Sequence, residues 1–155
     1  MKTKNGLRLG ISLPQSFPEE RIDHGYLREY IRKAEALGFE DAWLTESILS
    51  PNFYLEPVTY LAYLAAMTER IRLGVAVIIL NTRNPVQLAK SLATLDQLSN
   101  GRLSVGFGLG AGTQNYAAFG VPAERRVARF EEAIAVVKAL WTEDRASLQG
   151  SFWRL

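Results

Sequence analysis

The sequence predicts an α/β fold made of consecutive βα units with parallel strands, and three observations carry that prediction. Four short apolar runs recur about every thirty residues, beginning near Leu7 (LRLGISL), Asp41 (DAWLTES), Arg72 (RLGVAVIIL) and Leu103 (LSVGFGLG). Each leads into a segment of helical periodicity, the pattern of βα units whose parallel strands need crossover connections. The runs do not alternate apolar with polar residues, as strands covered on both faces do not. Four units are half of a (β/α)8 TIM barrel, which takes about 250 residues. The 155 residues therefore read as one domain over 1–155, either a small open α/β domain or half of a barrel.

In chain order, the first helix starts from Asp23 as N-cap, carries Leu27, Tyr30, Ile31, Ala34 and Leu37 as an apolar stripe, and stops at Gly38. The second has Pro57 in its first turn, Leu61, Leu64, Ala65 and Thr68 on one face, and an end at Arg70. Asn84-Pro85 opens the third, an N-cap followed by proline. Leu88, Ala89, Leu92, Leu95 and Leu98 follow before Asn100-Gly101. The fourth spans about Ala123 to Trp141, with Val127, Phe130, Ile134, Val137 and Leu140 or Trp141 at three- and four-residue steps. TEDRASLQGSFWRL, after Trp141, leaves no room for a fifth unit. Open sheet edges are normally covered or closed, so a homo-oligomer, or pairing with a second half-barrel, is expected.

Composition narrows the function. With 18 basic and 16 acidic residues and a net charge of +2, no basic patch points to nucleic acid. The chain has no cysteine, which removes disulfides, zinc-thiolate sites and cysteine nucleophiles and suits a cytoplasmic protein. The longest apolar stretch, Val75 to Leu80, is far short of the roughly twenty residues of a membrane span. MKTKNGLRLGISLPQ is broken by Gly10 and Pro14 and reads as a first strand, not a signal peptide. A single histidine, His24, and no carboxylate pair at ligand spacing leave neither a Ser-His-Asp arrangement nor a metal cluster.

Ligands of parallel α/β folds bind at the C-terminal strand ends. Four segments fall there: Pro14-Gln15 and the loop to Asp23; Thr45-Glu46-Ser47; Leu80 to Arg83; and Gly108 through Gly120. Glu46 follows the apolar Ala42, Trp43 and Leu44, so its carboxylate either meets a ligand or pairs at the rim. Gly106, Gly108, Gly110 and Gly112 form either a loop that lets a flat ring approach the backbone or a tight packing layer. The formal G-x-G-x-x-A of Gly106, Gly108 and Ala111 lacks the acidic residue at the end of a following strand that a dinucleotide fingerprint needs. Arg83 beside Asn81 is an anion ligand or a solvated loop arginine. Tyr116 and Phe119 line a pocket or plug the strand ends.

Glu69 to Gly112, with T-E-R-I-R-L-G, R-N-P-V-Q-L-A-K, A-T-L-D-Q-L-S-N-G-R and the G-x-G-x-G run, together with A-E-A-L-G-F and R-F-E-E-A-I, resembles the luciferase-like monooxygenase family, especially its deazaflavin-dependent oxidoreductases. The likeness covers nearly all of the chain but only the first half of the family barrel. It implies a small-molecule oxidoreductase or monooxygenase using FMN or coenzyme F420. It also implies a non-proline cis peptide in the third strand, at Ala76-Val77, behind the ring. Glu46, Ala76, Val77, Asn81, Gly106, Gly108 and Gly110 are then the cofactor-binding candidates, and no catalytic residue is assigned. Ser47 stands where many members carry His or Asp, and Ala111, Gly112 and Thr113 stand where many carry Glu. An inactive half-barrel that self-associates through its sheet edges is the alternative, and a phosphate-binding module acting through the glycine loop is a third reading.

Overall fold

The computed structural model describes residues 6–17, 21–110, 112 and 115–155. These form two compact units, one holding the chain up to Ile78 together with Leu95–Gly106, the other Ile79–Thr94 with Phe107–Leu155. Ala111, Thr113 and Gln114 of the glycine loop lie outside the described residues.

The strands β1 (Gly10–Ser12), β3 (Asp41–Leu44), β5 (Arg72–Ile79) and β6 (Leu103–Gly108) form one sheet in the order β1-β3-β5-β6. The pairs β1·β3 and β3·β5 are parallel, and the fold is the predicted α/β arrangement of βα units. Trp43 stands directly opposite Gly74 in the β3·β5 register. A Cβ on Gly74 would overlap the Trp43 ring, and one on Gly10 would come 2.9 Å from Trp43 Nε1. The indole thus occupies space that two glycines leave. The sequence reading missed a two-residue antiparallel ribbon of β2 (Ser16–Phe17) and β4 (Phe53–Tyr54), too short for any periodicity to show.

The helix α1 (His24–Ala36) starts as predicted, Asp23 accepting from the N–H of Tyr26. Gly38, at φ 83°, ends it in the left-handed region that glycine adopts without cost. Leu27, Ile31 and Ala34 are buried, but Leu37 is 59% exposed. At 100° per residue Leu37 falls about 90° off the stripe set by the other three. The same drift exposes Leu98, last residue of α3 (Pro85–Leu98), while Leu88, Ala89, Leu92 and Leu95 are buried. Asn84 Oδ1 caps α3, accepting from Val86 and Gln87.

Helix α2 (Pro57–Ala65) ends five residues before the predicted Arg70. Its last-turn carbonyls are taken by side chains instead of further helix. Thr68 Oγ1 donates to Leu64 O. Arg102 donates through Nη2 to Ala65 O and Thr68 O, through Nη1 to Thr68 Oγ1 and Ile71 O, and through Nε to Ser99 O, at 2.6–3.1 Å. From the other side the Glu35 carboxylate accepts the N–H groups of Glu69, Arg70 and Ile71, the shortest at 2.6 Å. That pair of clamps turns the chain from α2 into β5.

Burial raises the Glu35 pKa, but the three backbone N–H donors and nearby Arg70 outweigh it and hold the group below its ordinary value. A depressed folded-state pKa gives a contribution fully present above the unfolded carboxylate pKa and lost as pH falls through the folded one. We expect urea midpoints to decline through the acid side of the carboxylate range, and Glu35→Gln to flatten that decline while lowering the midpoint at pH 7. An acid limb of equal slope in both proteins would refute the assignment.

In the second unit, α4 (Arg126–Thr142) buries Ala133, Val136, Val137 and Ala139, while Val127 and Trp141 are exposed. The centre of the buried face is turned about 90° from the predicted stripe, of which Val137 is buried and Phe130, Ile134 and Leu140 are half-buried. Weighing large side chains favoured Phe130 and Ile134, whereas two alanines let neighbours approach closely. Beyond α4 the chain returns on itself at the Gln149–Arg154 bridge. There the Glu132 carboxylate accepts from the N–H groups of Ser151, Phe152 and Trp153, and Arg129 stacks on both aromatic rings.

Candidate functional site

In the first unit, the ends of β1 and β3 lead into loops organised by one side chain. Gln15 is 5% exposed. Its Oε1 accepts from Thr45 N at 3.0 Å, while its Nε2 donates to Thr45 O at 2.7 Å and to Leu55 O at 2.8 Å. Leu55 N donates back to Gln15 O at 3.0 Å. Thr45 Oγ1 and Tyr54 OH share a hydrogen bond at the same neck. Glu46 follows immediately, half-buried, two residues past the end of β3. The sequence reading named the Pro14-Gln15 segment but gave Gln15 no role; a lone glutamine after a strand looks the same whether it is solvated or buried.

Further along the same unit, the Ala76-Val77 peptide of β5 is cis, at the bond the resemblance specified. Both residues are exposed, Val77 at 39%, within a strand whose Leu73, Val75 and Ile78 are fully buried. Gly106 of β6 lies beside them. A Cβ there would stand 3.0 Å from Val77 Cγ1 and 3.4 Å from Val75 O. Ala76, Val77 and Gly106 therefore make a ledge poor in side-chain atoms, on which a side chain at position 106 would have to displace Val77 by a few tenths of an ångström.

The second unit holds Asn81, Gly108 and Gly110. Asn81, in the 3-10 turn Leu80–Thr82, is 1% exposed. Its Nδ2 donates to Arg126 O at 2.8 Å and to Tyr116 OH at 3.4 Å, and Tyr116 OH donates to Leu109 O at 2.6 Å. Asn81 Oδ1 is buried with no partner among the described residues. Gly110 has φ 80°, and a Cβ there would stand 3.2 Å from Ile79 Cγ2. Of the two loop aromatics, Tyr116 is buried and Phe119 half-buried. No group of His, Cys, Asp and Glu suited to a metal occurs among the described residues, and no helix among them is long and apolar enough to cross a membrane.

The model of the luciferase-like monooxygenase family matches residues 7–155. The chain belongs to that family. An F420-dependent glucose-6-phosphate dehydrogenase of Kineococcus radiotolerans is 32% identical over 145 residues, 88% of this chain and 42% of that protein. The monooxygenase RslO1 of Streptomyces bottropensis superposes with a TM-score of 0.83 at 33% identity, covering 96% of this chain and 47% of that one. The oxygenating component of 3,6-diketocamphane monooxygenase of Pseudomonas putida, solved with FMN, superposes at 0.79 with 20% identity, over 96% and 43% of the two chains, and this last likeness shows the fold alone. The luciferase-like chain thus spans less than half the length of these relatives, the extent of half a barrel.

Proposed function

We propose that this chain forms the first four βα units of a flavin- or deazaflavin-dependent oxidoreductase barrel acting on a small molecule, with F420 or FMN as cofactor. The family match over residues 7–155 carries the proposal, and the ledge supports it. Bound F420 or FMN supplies the hydride or oxygen chemistry, and the polypeptide binds and orients it. Ala76, Val77 and Gly106 offer the flat surface for a ring, and Glu46 a carboxylate at the strand end. In the second unit, Gly108 and Gly110 offer bare backbone, and Asn81 Oδ1 is an acceptor without a donor among the described residues. The cysteine-free composition suits the reducing cytosol.

Titration of FMN and of F420 into the purified chain tests this reading. The expected result is saturable quenching of the cofactor's fluorescence, weakened about tenfold or more by Gly106→Val, which puts a side chain on the ledge. Quenching unchanged in that variant would remove the ledge from the site. A second reading is favoured by β1 and β6 ending the sheet order, edges that proteins cover or pair. In it, two copies associate through those edges without turnover, and light scattering shows a dimer that takes up neither cofactor.

A further inference from the structure

The segment from Thr45 to Leu55 leaves the sheet and comes back to the same point, as loops closed at the neck do. Backbone pairing of Ser16 with Tyr54, Leu55 N–H to Gln15 O and the Thr45–Tyr54 hydroxyl contact all lie at its neck, and one side chain ties its two ends together. A single Gln15 Nε2 donates to the carbonyls at both ends, Thr45 O and Leu55 O, while Gln15 Oε1 holds Thr45 N. Gripping Thr45 by both its N–H and its C=O, the amide acts as one more rung of the β1·β3 ladder, whose last strand pair is Ser12 with Trp43. Leu13 N, donating to Trp43 O at 3.0 Å, is the backbone rung just before it. The carbonyl that Gln15 holds belongs to the peptide joining Thr45 to Glu46, so the grip fixes the plane from which the Glu46 side chain departs.

The loop beyond the neck does not hold itself in place by a core of its own. Ile48, Leu49 and Phe53 are all exposed, and no charged residue lies between Glu46 and Glu56. Apart from the Asn52 N–H to Ser50 Oγ bond and the pairing of Phe53 and Tyr54 with β2, its conformation is held at its base. Burial makes the fastening strong, because an amide that is nearly inaccessible to water loses its partners without replacement when the loop opens.

We propose that Gln15 is a positioning residue, which locks the neck of the 45–55 loop and thereby sets the direction of Glu46 at the strand end. It touches no reacting group and acts through Thr45. The functional half of this proposal rests on the cofactor reading above; the mechanical half does not.

Gln15→Met keeps the side chain's length and removes all three of its hydrogen bonds. Amide exchange of residues 46–54 should then quicken about tenfold or more, while Leu27, Ile31 and Leu61 in the flanking helices keep wild-type protection. In FMN and F420 titrations Gln15→Met should weaken binding about as much as Glu46→Gln, and the double variant should be little worse than either, since both act through one carboxylate. Exchange that rises equally everywhere, or not at all in 46–54, overturns the proposal, as does a double variant whose losses add. If the wild-type chain quenches neither cofactor, the cofactor reading fails, and the exchange measurement alone still decides whether Gln15 locks the loop.

Discussion

Arg102→Leu is expected to lower stability by about 3 kcal/mol or more, a large fraction of the roughly 5–15 kcal/mol available to a domain. The guanidinium answers four carbonyls, those of Ala65, Thr68, Ile71 and Ser99, and the Thr68 hydroxyl. Leucine fills part of the volume but leaves those acceptors in a partly buried site, each losing its partner without full access to water. Burial lowers the Arg102 pKa and nearby Glu35 offsets only part of that; a guanidinium nevertheless keeps its charge in proteins. Arg102→Lys should recover only a minor part of the loss, because one ammonium cannot reach carbonyls spread around a planar fork. Urea denaturation of the three proteins at pH 7 measures this directly, and a lysine variant equal to the wild type would show that charge, not the fork, matters.

Arg102 also shows where sequence reading stops. The fragments A-E-A-L-G-F, T-E-R-I-R-L-G and S-N-G-R identify the family, yet nothing in their spacing says that they meet. In the folded chain Glu35, the backbone of residues 68–71 and Arg102 form one connected clamp at the turn into β5. That clamp is why α2 stops at Ala65, a boundary the apolar pattern placed at Arg70. The starts of α1 and α3 were legible because a cap is a local contact: Asp23 and Asn84 each bond an N–H three residues on or nearer, whereas α4, which has no side-chain cap, starts at Arg126 and not at Ala123. The strands of the four-stranded sheet were legible from their apolar runs, and the α4 face only in part, through Val137, since small residues carry little weight in a hydrophobic pattern.

Legibility of the candidate site divides the same way. The cis bond at Ala76-Val77 was read through a family likeness, not through any property of Ala or Val. The exposure of Ala76 and Val77 between the buried Val75 and Ile78 was hidden from an apolar run such as VAVIIL. Gln15 was invisible as a neck-holder because its three partners lie thirty and forty residues away. Asn81 was named as a cofactor-binding candidate, but only the structure shows that its amide is committed to Arg126 O and that its carbonyl oxygen has no partner among the described residues.

Gly74→Val should match Arg102→Leu in size, about 3 kcal/mol, through sterics in place of lost hydrogen bonds. Position 74 is buried and directly opposite Trp43, and even a methyl group there meets the indole. Removing a strand glycine should by itself be mildly favourable, since glycine loses the most freedom on folding, so a destabilised variant points to the ring. Retreat toward β1 is blocked as well, because the bare Cα of Gly10 already admits Trp43 Nε1 within a side chain's reach. Valine at 74 must therefore either tilt the indole out of its place or push β5 from β3, and both cost packing along a strand that also bears Ala76 and Val77. Trp43→Leu vacates the space the new side chain needs. The double variant Trp43→Leu, Gly74→Val should accordingly be several-fold less destabilised than the sum of the single changes, a coupling that a denaturation cycle resolves. Tryptophan emission of Gly74→Val should shift as the indole changes its surroundings. Strict additivity with an unshifted spectrum would mean that the indole and Gly74 do not compete for one space, and the argument from their register would fall.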